Sequence, residues 1–374
     1  MKAVILVGGF GTRLRPLTLS TPKPLLPLVN RPFFDHTLFM LRHHGVTEVV
    51  LAVGYKSESF QQTYGDGSSQ GMRLTYVYED DPLDTGGAIK NVEAHLDADE
   101  TFLVFNGDVL TDLDLTDMLK YHRETGSVCT ISLTPVEDPS QYGVVDMDEA
   151  GRITRFTEKP KREEATSNWI NAGTYIMEPE VLVGIPAGQR WSVERAVFPG
   201  LLKEGRPLYG YRSNAYWMDI GTPDKYLQAH TDLLGALLKQ QIEPAGELLS
   251  DGVWAGEGTF VDIGASVTGP VVMGKGCHIG KAASITGPVV LGDNSIVGDE
   301  ALLEGVVAWN NARFDAKSRS RNCVIGANGH VGPESEVDSA AIVGDGAYTG
   351  AGNQLSRGLK LWPGIVLPDH SIRF

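Results

Sequence analysis

The 374-residue sequence predicts an α/β protein in two parts: a mainly parallel mixed sheet over residues 1–245, then a parallel β-helix of hexapeptide repeats over 246–374. Three observations predict it. Up to about Leu238, short β-rich runs alternate with helix-patterned segments, the mark of βαβ units. Further on, aliphatic residues recur every six positions, as stacked coils require. Between the two, "TPDKYLQAHTDLLGALLKQQIEP" reads as a linking helix with Pro223 in its first turn and Pro244 past its end.

The elements of the first part follow in order. "AVILV", "EVVLAVGY", "LTYVYE", "TFLVFNGDV" and "SVCTISLTPV" read as strands, and "FDHTLFMLRHHG", "GGAIKNVEAHL" and "LTDMLKYHRETG" as the helices between them. Ligands on parallel sheets sit beyond the carboxyl ends of the strands. Both "VGGFGTRLRP" and "NGDV" fall at such ends, so the pattern assigns them to one crevice.

In the second part, Val261, Val267, Met273, Ile279, Ile285, Leu291, Val297, Leu303 and Trp309 recur at every sixth position without a miss. "SVTGPVVMG" from Ser266 returns as "SITGPVVLG" from Ser284, so three hexads make one triangular coil with the aliphatic residues stacked inward. The phase breaks after Trp309 and a second series runs through Ile325, Val331, Val337 and Val343. The segment "NNARFDAKSRSRN" between them is predicted to loop out of the helix, making Arg313, Lys317, Arg319 and Arg321 the most basic patch of this domain.

A formal net charge of −15 argues against nucleic acid or an anionic membrane surface as a partner, because those contacts need a broad basic face. Any anionic ligand is expected to be small, held by local groups or a cation. Lys2 followed by five apolar residues and then glycines is too short for a signal peptide or a membrane span, so a cytoplasmic protein is expected. Cys129, Cys277 and Cys323 are widely spaced and lack nearby histidines, which suggests buried reduced thiols rather than zinc ligands or disulfides.

The stretch "VGGFGTRLRPLT" lacks the Gly-Lys-Ser/Thr of a P-loop, and Leu14 stands where a dinucleotide fingerprint needs its third glycine. A glycine loop at a strand end can still turn its free N–H groups toward phosphate oxygens, with Arg13 and Arg15 supplying charge. A plain tight turn is the competing reading.

The stretch "GGFGTRLRPLTLSTPKPLLPL" resembles the signature of the sugar-1-phosphate nucleotidylyltransferases, and "NGDV", "YGVV", "FTEKP", "NAGTYI" and "WMDIGTP" follow in that family's order. The resemblance covers essentially the whole chain. It implies a Rossmann-like nucleotidyltransferase domain followed by a left-handed β-helix. It also implies a reaction in which a sugar 1-phosphate attacks the α-phosphorus of a nucleoside triphosphate, releasing pyrophosphate. The nucleophile is already anionic, so the protein's task is to bring two polyanions together and stabilise charge in an in-line displacement.

Carried over by that resemblance, Gly8, Gly9, Gly11 and Thr12 would contact the triphosphate, Arg13 would grip its phosphates, and Lys23, stiffened by flanking prolines, would neutralise them from another side. Asp108 and Asp219 would hold Mg²⁺, a hard cation that takes one or two carboxylates plus phosphate oxygens. Lys159 would meet the sugar phosphate, with Glu158, Asn171 and the backbone at Gly143 on the sugar hydroxyls. Taken singly, Lys23 also fits a solvated loop lysine, and either aspartate a turn or cap residue.

Among members of the family the sequence looks most like the mannose-1-phosphate guanylyltransferases, through "STPKPLLPL", "EDPSQYGVV" and "YWMDIGTPDKYL". The resemblance implies that Glu79 would open the base-reading segment, and a carboxylate would suit the adjacent N1–H and exocyclic amine of guanine. Gly86, also assigned to the nucleotide, departs from the alanine usual there. Glu79 also fits a solvated member of the acidic run with Asp80 and Asp81. The alternatives are a glucose-1-phosphate thymidylyl- or uridylyltransferase and a non-catalytic regulatory homologue, though the charged residues expected of an enzyme are all present. An added acyl transfer on the repeats, with His278 or His330 as base, is a further rival. Self-association through the repeats is the simpler expectation for that domain.

Overall fold

The computed structural model describes residues 1–9, 11–54, 57–239 and 241–373. They form two compact units, Met1–Phe10 with His36–Asp219, and Gly11–Asp35 with Ile220–Phe374.

The first unit is built on a mixed nine-stranded sheet. Its parallel half consists of β1 (Ala3–Leu6), β2 (Glu48–Val53), β3 (Arg73–Tyr78) and β4 (Phe102–Asn106). Strand β1 is central: Ile5 stands level with Leu51 on one side and Phe105 on the other. Every residue of "AVI" is fully buried, which explains a continuous apolar run where a half-exposed strand would alternate. Helices α1 (Phe33–His43), α2 (Ser57–Tyr64) and α3 (Asp84–Asn91) occupy the connections, and the short strand β5 (Val109–Thr111) leads from β4 into α4 (Leu115–Thr125). The Asp114 carboxylate caps α4 by accepting from Asp117 N–H at 2.9 Å, and Gly126 closes it at φ 59°, the left-handed conformation a helix end favours.

The antiparallel half comprises β6 (Cys129–Pro135), β7 (Gly143–Met147), β8 (Ile153–Glu158) and β9 (Trp169–Met177). The short helix α5 (Phe198–Lys203) leads to β10 (Leu208–Arg212), which runs parallel beside β6. Along the sheet the order is β8-β7-β9-β4-β1-β2-β3, with β6 also paired to β9. A separate ribbon pairs β5 with β11 (Trp217–Asp219).

In the second unit, helix α6 (Pro223–Leu234) begins at a Thr222 side-chain cap. It stops at Gly235 rather than running on toward Pro244, because the N–H groups of Gly235 and Ala236 take the carbonyls of Thr231 and Leu233, and Ala236 adopts φ 53°. Short parallel strands then stack in register: Val253 pairs with Val271, and Val271 with Val289, each step spanning three hexads. Their inward residues form one core from Val253 to Leu361, most of it fully buried.

The predicted excursion at "NNARFDAKSRSRN" is not there. Residues 313–314 and 319–325 are strands that continue the stack, with Ile296 beside Arg313, Leu302 beside Arg319 and Arg319 beside Glu336. Each of these steps falls one position short of three full hexads, so two successive coils are each shortened by a single residue. Ala308, not Trp309, takes the inward position beside Leu291, and the apparent break in the hexads is a phase slip. The basic patch is also tempered, since Arg313 pairs with Asp315, Arg319 with Glu336 and Arg321 with Glu304. Cys129, Cys277 and Cys323 are buried free thiols, and burial pushes Cys323 up to about 12.

Candidate active site

Within the first unit, a cleft of about 140 Å³ is lined by Asn106, Asp108, Tyr142, Asn171, Gly173, Trp217 and Asp219, among others. Two strand ends make it. Asp108 follows β4 by one turn residue, and β11 runs antiparallel to β5 so that Asp219 stands opposite Val109. Directly opposed residues in such a ribbon lie about 5 Å apart, so the register alone carries Asp219 to the neighbourhood of Asp108 across more than a hundred positions of chain. Hydrogen bonds and an aromatic contact brace the walls. Trp217 donates its indole N–H to Ala172 O at 2.8 Å and meets Tyr142 edge-on, ring centroids 5.5 Å apart. Asn171 donates to Tyr175 Oη at 2.9 Å and accepts from Gly173 N–H at 2.9 Å.

Beside this cleft, β7 and β8 pair Gly143 with Glu158, and a Cβ on Gly143 would meet the Glu158 carboxylate at 3.0 Å and the Phe156 ring at 2.5 Å. Glycine is therefore required for that close approach. Lys159 takes φ 47°, unusual for a lysine, and its N–H donates to Tyr142 O at 3.0 Å. Its ammonium lies 3.6 Å from the Glu158 carboxylate. Burial, then the nearby Glu194 charge, raises the Glu158 pKa, with Lys159 opposing.

At the carboxyl end of β3, Glu79 is half-buried while Asp80 and Asp81 are exposed, so it is not part of a solvated acidic run. Its Oε2 accepts from Leu83 N–H at 3.1 Å, and desolvation raises its pKa. Gly86, in α3, has a packing reason: a Cβ there would come within 2.9 Å of Trp191 O. Gly8 follows β1, close enough to Gly54 beyond β2 that a Cβ on Gly54 would touch its Cα at 3.4 Å; a Cβ on Gly9 would meet nothing.

The remaining predicted residues belong to the second unit. Gly11 adopts φ 56° at the head of the turn Thr12–Leu14, and its carbonyl accepts from Thr18 Oγ1 at 2.8 Å. Thr12 and Arg13 are exposed, and Arg13 packs over Gly221, where a Cβ would sit 2.7 Å from its guanidinium. Lys23 is 7% exposed, beneath Gly11, so it is no solvated loop lysine.

Sequence reasoning missed Asn106, Tyr142, Gly173 and Trp217 as cleft walls, although each adjoins or lies within a quoted motif. Asn106 adds something further: its Oδ1 is buried without a hydrogen-bond partner, on the cleft that also holds Asp108 and Asp219. Among the described residues no group of three or more His, Cys, Asp or Glu side chains is placed to hold a metal. Two carboxylates and an amide oxygen nonetheless make an all-oxygen donor set that fits a hard divalent cation. His330 is paired with Asp315 at 2.7 Å and His278 is stacked on Phe260.

Comparison with known proteins identifies the class. A family profile described as "Nucleotidyl transferase" matches residues 2–235. Mannose-1-phosphate guanylyltransferase of Mycobacterium tuberculosis is 42% identical over 275 residues, 71% of this chain and 76% of that protein. A UTP–glucose-1-phosphate uridylyltransferase of Synechocystis is 38% identical over 268 residues, 68% of this chain and 69% of that protein. Among solved structures, HddC from Yersinia pseudotuberculosis superposes with a TM-score of 0.54 at 29% identity, over 62% of this chain and 99% of its own; it has also been solved in complex with GMP-PN. The chain belongs to the nucleotidyl transferase family, in the sugar-1-phosphate nucleotidyltransferase branch that its relatives represent. No helix among the described residues is long and apolar enough to cross a membrane.

Proposed function

We propose that this enzyme transfers guanylyl from GTP to mannose 1-phosphate, giving GDP-mannose and pyrophosphate. The observation that carries the chemistry is the cleft in which the β5–β11 register sets Asp219 beside the Asp108 strand end. Asp108 and Asp219, with Asn106 Oδ1 alongside, would hold Mg²⁺, which when bound offsets phosphate charge and orients the triphosphate. Arg13 and Lys23 supply fixed positive charge to the phosphates, with main-chain contacts from Gly8, Gly9, Gly11 and Thr12. Lys159 holds the sugar phosphate, and Glu158, Asn171 and the Gly143 backbone orient the sugar hydroxyls. With both substrates oriented, the sugar phosphate oxygen attacks in line and no protein nucleophile is used.

Glu79 supports the choice of guanine. A half-buried carboxylate accepts from N1–H and the exocyclic amine, whereas uracil and thymine offer one donor between two acceptors. The 42% identical relative is a guanylyltransferase, and HddC was solved in complex with GMP-PN. The Synechocystis relative favours a second reading, uridylyl transfer to glucose 1-phosphate. Initial rates for GTP, UTP, dTTP and ATP with mannose and glucose 1-phosphate separate the two. GTP with mannose 1-phosphate is expected to lead; a preference for UTP or dTTP with glucose 1-phosphate overturns the proposal.

The same reading takes residues 1–245 as the catalytic domain and 246–374 as a left-handed β-helix of hexapeptide repeats. The parallel pairing of equivalent residues from coil to coil supports the stacking of coils, and the left hand rests on the family resemblance. We assign the repeats a role in self-association, since stacked coils leave faces and ends to be covered.

A further inference from the structure

We propose that the hairpin Pro27–Pro32, clamped by the repeats and α6, is a positioning device for Lys23; this rests on the role given to Lys23 above. The hairpin pairs Pro27 with Pro32 and Leu28 with Arg31, leaving Val29 and Asn30 as a two-residue turn at φ 52° and 61°. Such a turn needs two left-handed residues. Asparagine suits that conformation, but a β-branched valine is strained in it, and strain of this kind persists only where the surroundings over-determine the backbone.

The surroundings do so. Val29 N–H donates to His230 Nδ1 at 3.3 Å, and Asn30 Nδ2 donates to Leu291 O of the repeats at 2.7 Å. Tyr226 of α6 donates its hydroxyl to Pro27 O, and Trp309 of the repeats donates its indole N–H to that hydroxyl at 3.1 Å. Trp309, which stands outside the inward series, thus turns its indole N–H to α6. Earlier in the same segment, Ser20 bonds Asp345 and Lys360 donates to Arg13 O at 3.4 Å.

The clamp reaches Lys23 through one residue. Leu26 N–H donates to Lys23 O at 3.1 Å, closing the turn Lys23–Leu25, and Leu26 O accepts from Phe33 N–H at 2.9 Å at the foot of the hairpin. A shift of the hairpin therefore shifts the buried lysine. Asn30 and Trp309 are positioning residues: they act through Lys23 and touch no substrate in this account.

The test uses the full chain with Asn30→Gly, which keeps the left-handed backbone and deletes the donor to Leu291 O, and Trp309→Phe, which keeps a ring and deletes the N–H. Each variant is expected to lower kcat/KM for GTP about tenfold, with little change in melting temperature for Asn30→Gly and a lower one for Trp309→Phe, whose smaller ring leaves a cavity at a buried site. In each, acetylation of Lys23 by acetic anhydride, read by mass spectrometry, is expected to rise several-fold. Lys23→Gln serves as the reference for the lysine itself. Wild-type kinetics and labelling in both variants, or slower turnover with unchanged Lys23 labelling, overturn the positioning role while a dead Lys23→Gln keeps the lysine's own role. Near-wild-type turnover in Lys23→Gln overturns both.

Discussion

The strand ends of the sheet and the inward faces of the repeats differ in what their residues are kept for. Inside the repeats, Ile279, Ile285, Leu291, Phe314, Ile325 and Val343 are fully buried and apolar, each beside its equivalent one coil away. At the strand ends, Asn106, Asp108, Glu79 and Asp219 are polar and only partly covered. The repeats stack apolar side chains at most inward steps, with Ser320 standing between Leu303 and Val337 as a polar exception. The strand ends do the reverse: β3 and β4 stop their parallel ladder there and leave chain free to turn toward a ligand, and the separate β5–β11 ribbon sets Asp219 opposite Val109. Substitutions in the two regions should therefore fail differently, one in stability and the other in chemistry.

The largest effect is expected at the cleft. Asp108→Asn and Asp219→Asn should each lower turnover by about 10²-fold or more, with unchanged circular dichroism; near-normal Mg²⁺-dependent rates would place the chemistry elsewhere. In the repeats, Phe314→Ala should cost about 3–5 kcal/mol in denaturant unfolding, since its ring is fully enclosed, while the native fraction keeps its kcat. Equal losses of stability from the two regions would break the contrast.

A pH measurement sharpens it. Desolvation raises the Glu79 pKa above its ordinary 4.5, so the carboxylate loses its charge on acidification sooner than a solvated one. Protonated, it no longer accepts from both guanine donors, and preference for GTP over UTP should fall as pH drops from neutral toward the raised value. Glu79→Gln should flatten that profile. For stability the sign is opposite: a raised carboxyl pKa favours folding below 4.5, a contribution lost as pH rises through the folded-state value. The smallest effect is Gly11→Ala, about 1 kcal/mol from φ 56° and a contact of 3.0 Å with Thr18, read as a lower melting temperature.

Sedimentation of the full chain tests the assembly role, and an oligomer is expected. A monomer would remove self-association from the account.

Much of this is legible in the sequence. The αβ alternation and the hexads carry their own periods, so the parallel half of the sheet, α1, α3, α4 and most of the coils can be read off directly, while β7–β11, α2 and α5 went unread. "NGDV" and "WMDIG" flag Asp108 and Asp219, but only the antiparallel register of β5 and β11 explains how they meet. The slip at Ala308 is hidden because Trp309 is also apolar and keeps the count going, though its ring turns to Tyr226. Tyr142 and Trp217 are easily passed over because an aromatic residue in or beside a strand reads as core, and nothing local says that it faces a cleft. That Gly11–Asp35 folds with the repeats depends on contacts between residues hundreds of positions apart, such as Asn30 with Leu291.

The central claim is that the strand-end carboxylates hold a divalent cation, and Mn²⁺ binding by electron paramagnetic resonance, measured on the full chain with GTP present, tests it most directly. One tightly bound ion per chain is expected, with affinity falling by about 10-fold or more in both Asp108→Asn and Asp219→Asn. Unchanged Mn²⁺ affinity in the two variants would contradict the account.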